Sequence, residues 1–469
     1  MKNQELRTDF NRFIKGITCS KFFTPHDLCA TFLVALFCIS PLAYGQPPST
    51  STLKPNELVV VPMGAVKVEV LESKGRYQLF RGGVAYMVKG AGLVDADLAS
   101  FVSHGGNSIR TWSTENAQQV LDDAYEHGVT VSLCLWVQHE RHGFDYDDDF
   151  AIAQQLREFK EEVLKYRNHP ALLMWIIGNE VNNEHFDNTK VFRAIDEISK
   201  LIHQLDPNHP TTTALAGYNN SVLFEIESSS PDLDFVSFQM YGDLINLPRY
   251  IEDAGYRKPF FVTEWGAIGH WEVNKTSWGA PIEQNSSAKA RNYLRGNEKV
   301  LKLLGDQVLG SYVFVWGQKQ ERTPTWYGMF TSSGEETEVV DVMHHIWTGK
   351  LPSNQSPAVD KLVLDDQISE DSVHLSANKV YEAKLYVYDP DDDPLSFAWE
   401  IKKESEAASG GGDFEADMET IENLIKGGQG PRVIITAPAI EGAYRLYAYA
   451  YDQNDNVAHA NIPFYVKNK

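Results

Sequence analysis

Two glutamates stand out by where they occur. Glu180 ends the apolar run in "ALLMWIIGNEVNN", and Glu264 sits in "PFFVTEWGAIG". Each follows a short stretch rich in Ile, Leu, Val, Phe or Trp, which fits a strand covered on both faces. A carboxylate at the carboxyl end of such a strand stands where parallel α/β sheets and barrels hold their chemistry. A lone Glu there also serves simply to cap the next segment. Two of them facing each other across a cleft supply what cleavage of a glycosidic bond needs.

The elements that must position them recur regularly. Apolar strands read at "GVAYM", "SIRTW", "TVSLCLWV", "ALLMWIIGN", "TTTALAG", "FVSFQMY", "FFVTEWG" and "GSYVFVWG", separated by helix-like segments such as 151–167, 189–205 and 287–304. Eight strands alternating with helices predict an α/β fold, a (β/α)₈ TIM barrel. A doubly wound open sheet is weaker, because no Gly-rich phosphate turn follows the first strand. With Glu180 on the fourth stave and Glu264 on the seventh, both point into the barrel mouth from opposite walls.

The other strand ends agree. The second delivers Arg110, the third Trp136 and His139, the sixth Tyr241 and the eighth Trp316. An Arg and a phenol beside Glu264 favour its anion, which suits a nucleophile. Glu180, near a second anion, holds its proton more tightly, which suits a general acid.

Length and composition set the frame. At 469 residues, with 43% hydrophobic residues, the chain has room for two domains and a large core. Residues 1–45 read as a signal peptide: five basic residues precede an apolar run from Cys29 to about Leu42, and Ala43-Tyr44-Gly45 offers a cleavage site. The run is short for a membrane span, so the mature chain is expected to have none and to be exported: periplasmic, cell-surface or secreted. Cleavage leaves Cys134 as the remaining cysteine, so the fold must rest on its core rather than on an internal disulfide. The formal charge of −22 disfavours nucleic acid and other polyanions as partners and suits a neutral substrate.

Residues 46–80 read as an N-terminal β segment, 81–349 as the barrel and 350–360, "GKLPSNQSPAVD" with its first residue at 349, as a linker. Residues 361–469 change to strand-like alternation with turns at "DPDDDP" and "DQNDN", predicting an all-β immunoglobulin-like sandwich after the barrel. These turns resemble calcium-binding turns of cadherin-like modules, but turn chemistry explains their residues without an ion, and that reading is taken here. His139 and His142 lack helical i, i+4 spacing and a third ligand, so no catalytic metal or other cofactor is expected.

"WIIGNE" resembles the acid/base strand of retaining glycosidases of clan A, and "FVTEWG" their nucleophile strand. The resemblance covers Lys67 to Gly349. It is closest to the barrel domain of glycoside hydrolase family 2, through "GGNSIRTW" and "LLMWIIGNE", and extends to compact endo-β-1,3-glucanases. It implies Glu180 as acid/base, Glu264 as nucleophile, Arg110 and Tyr241 as hydrogen-bond partners of Glu264, Asn179 as the amide that binds the sugar 2-hydroxyl, and Trp316 as the aromatic floor under the sugar. Family 2 enzymes carry β-sandwich domains before the barrel, whereas here a short β segment precedes it. That argues against exo-acting β-galactosidase or β-glucuronidase specificity and keeps an open cleft for a neutral β-glucan as an equal reading. The expected activity is retaining hydrolysis, by double displacement, of a β-linked neutral oligo- or polysaccharide, a β-glucan or β-galactoside. Glucan transglycosylation with the same residues is the alternative. A non-catalytic glycan-binding barrel predicts one acid replaced, and both are present.

Overall fold

The computed structural model describes residues 64–94, 97–183, 187–407, 412 and 414–468. The signal-peptide reading therefore lies outside the described residues. Among those described, no helix is long and apolar enough to cross a membrane.

Three short strands, β1 (Val68–Ser73), β2 (Arg76–Arg81) and β3 (Val84–Ala85), form an antiparallel sheet. Eight parallel strands follow: β4 (Val88–Val94), β5 (Ser108–Arg110), β6 (Thr130–Leu135), β7 (Leu172–Asn179), β8 (Thr211–Ala216), β9 (Val236–Gln239), β10 (Phe260–Gly266) and β11 (Val308–Gly317). They pair in sequence, and β11 closes on β4 to complete a barrel. Between and after them run α1 (Leu98–Ser103), α2 (Ala117–Glu126), α3 (Asp149–Tyr166), α4 (Thr189–Leu205), α5 (Asn220–Ser229), α6 (Leu247–Ala254), α7 (Ser286–Gly296) and α8 (Glu338–Thr348). Asp97, Asp148, Asn219 and Asn285 cap α1, α3, α5 and α7 by accepting first-turn N–H groups.

The first stave departs from expectation. "GVAYM" contributes the short β3, and the stave is "VKGAGLV". Its glycines read as breakers in sequence, but space demands them: a Cβ on Gly90 would lie 2.3 Å from the Tyr312 ring and one on Gly92 2.4 Å from the Trp112 ring. The antiparallel sheet closes the opposite end of the barrel. Val68 and Leu79 share one buried cluster with Val88, Phe235, Phe261 and Leu309, which lie at the strands' amino ends. The rim at the carboxyl ends is left for chemistry.

Beyond the barrel lie two sheets. One contains β12 (Glu336–Thr337), β14 (Val373–Ser376), β16 (Ser396–Lys403), β19 (Gly442–Tyr451) and β20 (Asn456–Lys467); the other contains β13 (Ala358–Leu364), β15 (Val380–Tyr388), β17 (Ile425–Lys426) and β18 (Arg432–Thr436). They enclose one core, with Leu362, Leu385 and Ile435 meeting Ile401, Leu446 and Ile462.

The expected linker does not separate this module from the barrel. β13 already starts at Ala358, and residues 63–469 form one compact unit. β12, in the connection from β11 to α8, pairs in parallel with β20. The outer face of β19 and β20 is buried against the barrel, where Arg445 Nη2 donates to Pro281 O (2.8 Å) and His459 N to Ser286 Oγ (3.1 Å). Glu283 and Lys289 form a buried ion pair at this seam, and Thr323 and Thr325 also donate to Glu283. Asn461 of β20 donates to the same carboxylate, which ties the segment after β11 to the module through Glu283.

Candidate active site

Glu264 is placed by β10, whose register shifts against β9 between Val262 and Glu264 and against β11 between Val262 and Trp265. Its side chain is nearly buried and meets four donors. Oε1 accepts from Trp112 Nε1 (2.8 Å), Arg110 Nη1 (3.0 Å) and Gln239 Nε2 (3.2 Å), and Oε2 accepts from Tyr241 Oη (2.7 Å). Burial, with Glu264 alongside, pushes the Tyr241 phenol well above its ordinary pKa, so it remains a donor at any working pH. Arg110 is fully buried and also reaches Thr263 O (3.0 Å) and Asn179 Oδ1 (2.8 Å).

Glu180 follows β7 in a different environment. Gly178 (φ 79°) turns the strand end, where a side chain would also press within 3.0 Å of Val181. Glu180 itself has φ 53°, a conformation rare for a residue with a Cβ and held by its N–H to Ala214 O (2.8 Å) and Asn183 N–H to its own carbonyl (3.0 Å). Removal from water, and next the charge of Glu264, raise its pKa to about 8, against the pull of Arg110 and Arg141. Glu321 adds to the rise. A carboxyl group so placed holds its proton at neutral pH and can give it up to a leaving oxygen.

Asn179 stands between the two acids. Its Oδ1 accepts from Arg110 and from Gln239 Nε2 (both 2.8 Å), which fixes the amide and leaves its NH₂ as the group to offer a ligand.

All of these side chains except the buried Arg110 line one cavity of about 1050 Å³ at the rim. Trp136 and His139 line it too, stacked on each other at 5.0 Å between ring centres. Trp271 lies at the cavity with half its surface exposed, packed edge-on to Tyr241, and Phe414 from the C-terminal module also reaches it. The acids Glu180, Asp243, Glu264, Glu272 and Glu321 outnumber the basic Arg141 and Lys319.

Trp316 requires a correction: it is fully buried outside the barrel, against Phe101, Phe330 and Trp347. The register between β11 and β4 slips one residue between Val313 and Trp316, which reverses the face each later side chain takes. Phe314 lines the cavity instead. Of the other tryptophans after the seventh and eighth strands, Trp326 is buried with its N–H on Ile268 O, and Trp278 packs on His374 and Tyr465 of the module.

Sequence reasoning missed Trp112, Gln239, Lys319 and Glu321. Trp112 and Gln239 sit two residues from Arg110 and Tyr241, and strand periodicity marks them as sharing a face. Glu321 is buried in a loop, held by Lys319 Nζ (2.5 Å) and near His270 Nε2 (3.3 Å), and nothing local distinguishes it in sequence. Cys134 is buried in β6 with its thiol pushed up to about 12 by burial, so it is inert.

Residues 88–271 match the sequence family described as "Glycosyl hydrolases family 2, TIM barrel domain". The chain is 29% identical over 202 residues to a probable mannan endo-1,4-β-mannosidase C of Aspergillus terreus, covering 34% of this chain and 49% of the relative. It is 24% identical over 177 residues to a β-glucuronidase of Pongo abelii, covering 35% of this chain and 26% of the relative. The chain thus spans about half the length or less of these curated relatives. A solved structure of β-glucuronidase 2 of Bacteroides uniformis, covalently bound to cyclophellitol-6-carboxylate aziridine, superposes with a TM-score of 0.48 at 13% identity over 86% of this chain and 48% of that one. Arg110, Asn179, Glu180, Tyr241 and Glu264 all fall within the family-matched stretch, and Trp316 lies beyond it.

Proposed function

From a barrel that resembles the family 2 glycosyl hydrolases, we propose that the protein is a retaining β-glycosidase that hydrolyses β-linked neutral glycans by double displacement. The observation that carries this reading is the contrast between two acids on one cavity: Glu264 anchored by four donors, Glu180 holding its proton to about pH 8. Glu264 Oε2, with Tyr241 as its one donor among the described residues, is the oxygen that attacks the anomeric carbon. Glu180 protonates the departing oxygen, then takes a proton from the water that releases the sugar with retained configuration. The acid-rich lining supports a neutral substrate, since an anionic sugar would meet repulsion. In this reading the Asn179 NH₂ donates to a sugar hydroxyl, which is supported by its Oδ1 being held by Arg110 and Gln239.

Transglycosylation to a second glucan is the alternative outcome of the same intermediate. Trp271 and Phe414, exposed aromatics on the cavity that can hold an acceptor ring, keep it as the second reading. We read the C-terminal module as immunoglobulin-like, supported by its two sheets over one core, and the protein as exported, supported by its leader sequence.

The test is a panel of β-mannan, laminarin, mixed-linkage glucan, galactan and aryl β-glycosides, following product lengths and the anomer first released. The reading predicts turnover of at least one neutral β-glycan with retention. Turnover of none, by a protein that melts cooperatively, would refute it.

A further inference from the structure

Three aspartates meet on the C-terminal module, away from the cavity. Asp389 and Asp393 come from the turn between β15 and β16, and Asp452 from the turn between β19 and β20; one ligand-capable oxygen from each lies within 4.8 Å of the others. Such a cluster alone means little, since Asx turns gather acids routinely. The disposition of Asp389 adds something independent. Its Oδ1 accepts the N–H groups of Asp391 (2.8 Å) and Asp393 (3.0 Å), but Oδ2 is buried without a hydrogen-bond donor among the described residues, on a residue only 7% exposed. No Lys, Arg or His forms an ion pair with any of the three among the described residues. A buried carboxylate oxygen with neither donor nor cation is costly unless something is meant to sit against it.

Against the ion-free reading of these two turns taken from sequence, we propose that Asp389, Asp393 and Asp452 form a Ca²⁺ site that fastens the C-terminal module to the barrel. Hard oxygen donors select a hard divalent cation. Oxygens on opposite sides of a Ca²⁺ ion stand about 4.6 to 5.2 Å apart, twice the usual Ca–O length, so the observed spread fits within its shell.

The site's position gives the ion its role. Asn354, on the segment leaving the barrel, donates to Asp452 Oδ2 (2.7 Å), and Gln355 N–H donates to Asp391 Oδ2 (2.7 Å). Asn454 bridges Asp393 Oδ2 (3.0 Å) and Asn354 Oδ1 (3.2 Å). On the same turn, Asp455 O accepts from Glu336 N–H of β12 (2.9 Å). Three chain segments therefore converge on the ion, and the last of them is paired with the barrel.

The experiment uses the full chain stripped with chelator, titrated with CaCl₂ by calorimetry and melted with and without about 1 mM Ca²⁺, the range of extracellular modules. One bound Ca²⁺ and a raised Tm are expected, with MgCl₂ giving a clearly smaller rise. Asp393→Asn, at a half-buried position that tolerates the change, should weaken Ca²⁺ at least tenfold, and Asp389→Asn should abolish its effect on Tm. Asp366→Asn, an exposed acid elsewhere on the module, should leave both unchanged. Absence of binding heat and Tm change in the parent protein would overturn the proposal. So would an equal response to Mg²⁺, which marks charge screening, or undiminished Ca²⁺ binding in Asp393→Asn.

Discussion

Tyr241 Oη donates a 2.7 Å hydrogen bond to Glu264 Oε2, while the other oxygen of that carboxylate is occupied by Arg110, Trp112 and Gln239. The two oxygens are thus unequal. Oε1 anchors the group, and Oε2 keeps a single donor whose bond orients it and must loosen as a bond to carbon forms.

Tyr241→Phe removes that donor and little else. A hydrogen bond to a charged group contributes about 1.5 to 3 kcal/mol, so kcat/KM should fall roughly 10- to 150-fold with the melting temperature nearly unchanged. Steady-state kinetics on the active glycan, beside a thermal melt, measures both. A loss of less than threefold would mean the phenol does not act on the reacting oxygen.

The pH profile should lose activity on its alkaline side. Glu180 must carry its proton, and its pKa of about 8 places the falling limb of kcat/KM there. Glu321→Gln removes one of the negative charges that raise it, so the limb should move to lower pH. A limb that stays fixed in Glu321→Gln would detach it from Glu180.

Removing the Glu180 carboxyl should move stability and activity in opposite directions. An acid whose folded pKa is raised from 4.5 to about 8 binds more protons folded than unfolded across that window, so its contribution to stability declines as pH rises through it. Glu180→Gln abolishes this dependence. Its Tm should therefore exceed the parent's at pH 8 and converge with it toward pH 4, while turnover is lost. Equal Tm values at both pH values would show that burial of Glu180 carries no such strain.

The seam between barrel and module should be unforgiving. Burial pushes the Glu283 carboxyl up, and Lys289, helped by His459 and Thr323, reverses this to leave it at about 2. Lys289→Met strands that charge in the interior, a change worth about 3 to 5 kcal/mol. Urea unfolding should record the loss as a lower midpoint; an unchanged midpoint would mean water reaches the seam.

Much of this arrangement is legible in the sequence. Apolar runs ending in Glu180 and Glu264 mark staves because a strand buried on both faces has no other composition available to it. Arg110 and Tyr241 follow from strand ends; Trp112 and Gln239 were missed, although a spacing of two from those residues carries the signal. Trp316 was misplaced because one slipped residue in β11 reverses its face, and a slip leaves no trace in residue type. The first stave was misread because Gly90 and Gly92 look like turn residues, yet are required by the rings of Tyr312 and Trp112, which arrive from elsewhere in the chain. Glu321 depends on long-range packing, and only the folded chain brings it toward Glu180.

The role of Glu264 is open to direct trapping. An activated 2-deoxy-2-fluoro aryl β-glycoside of whichever sugar the enzyme turns over should leave a covalent glycosyl group that peptide mapping by mass spectrometry locates. One sugar per chain is expected, on the peptide that contains Glu264, and none on Glu264→Gln. A label on Glu180, Glu272 or Glu321, or no label together with an inverted product from the parent glycan, would contradict it.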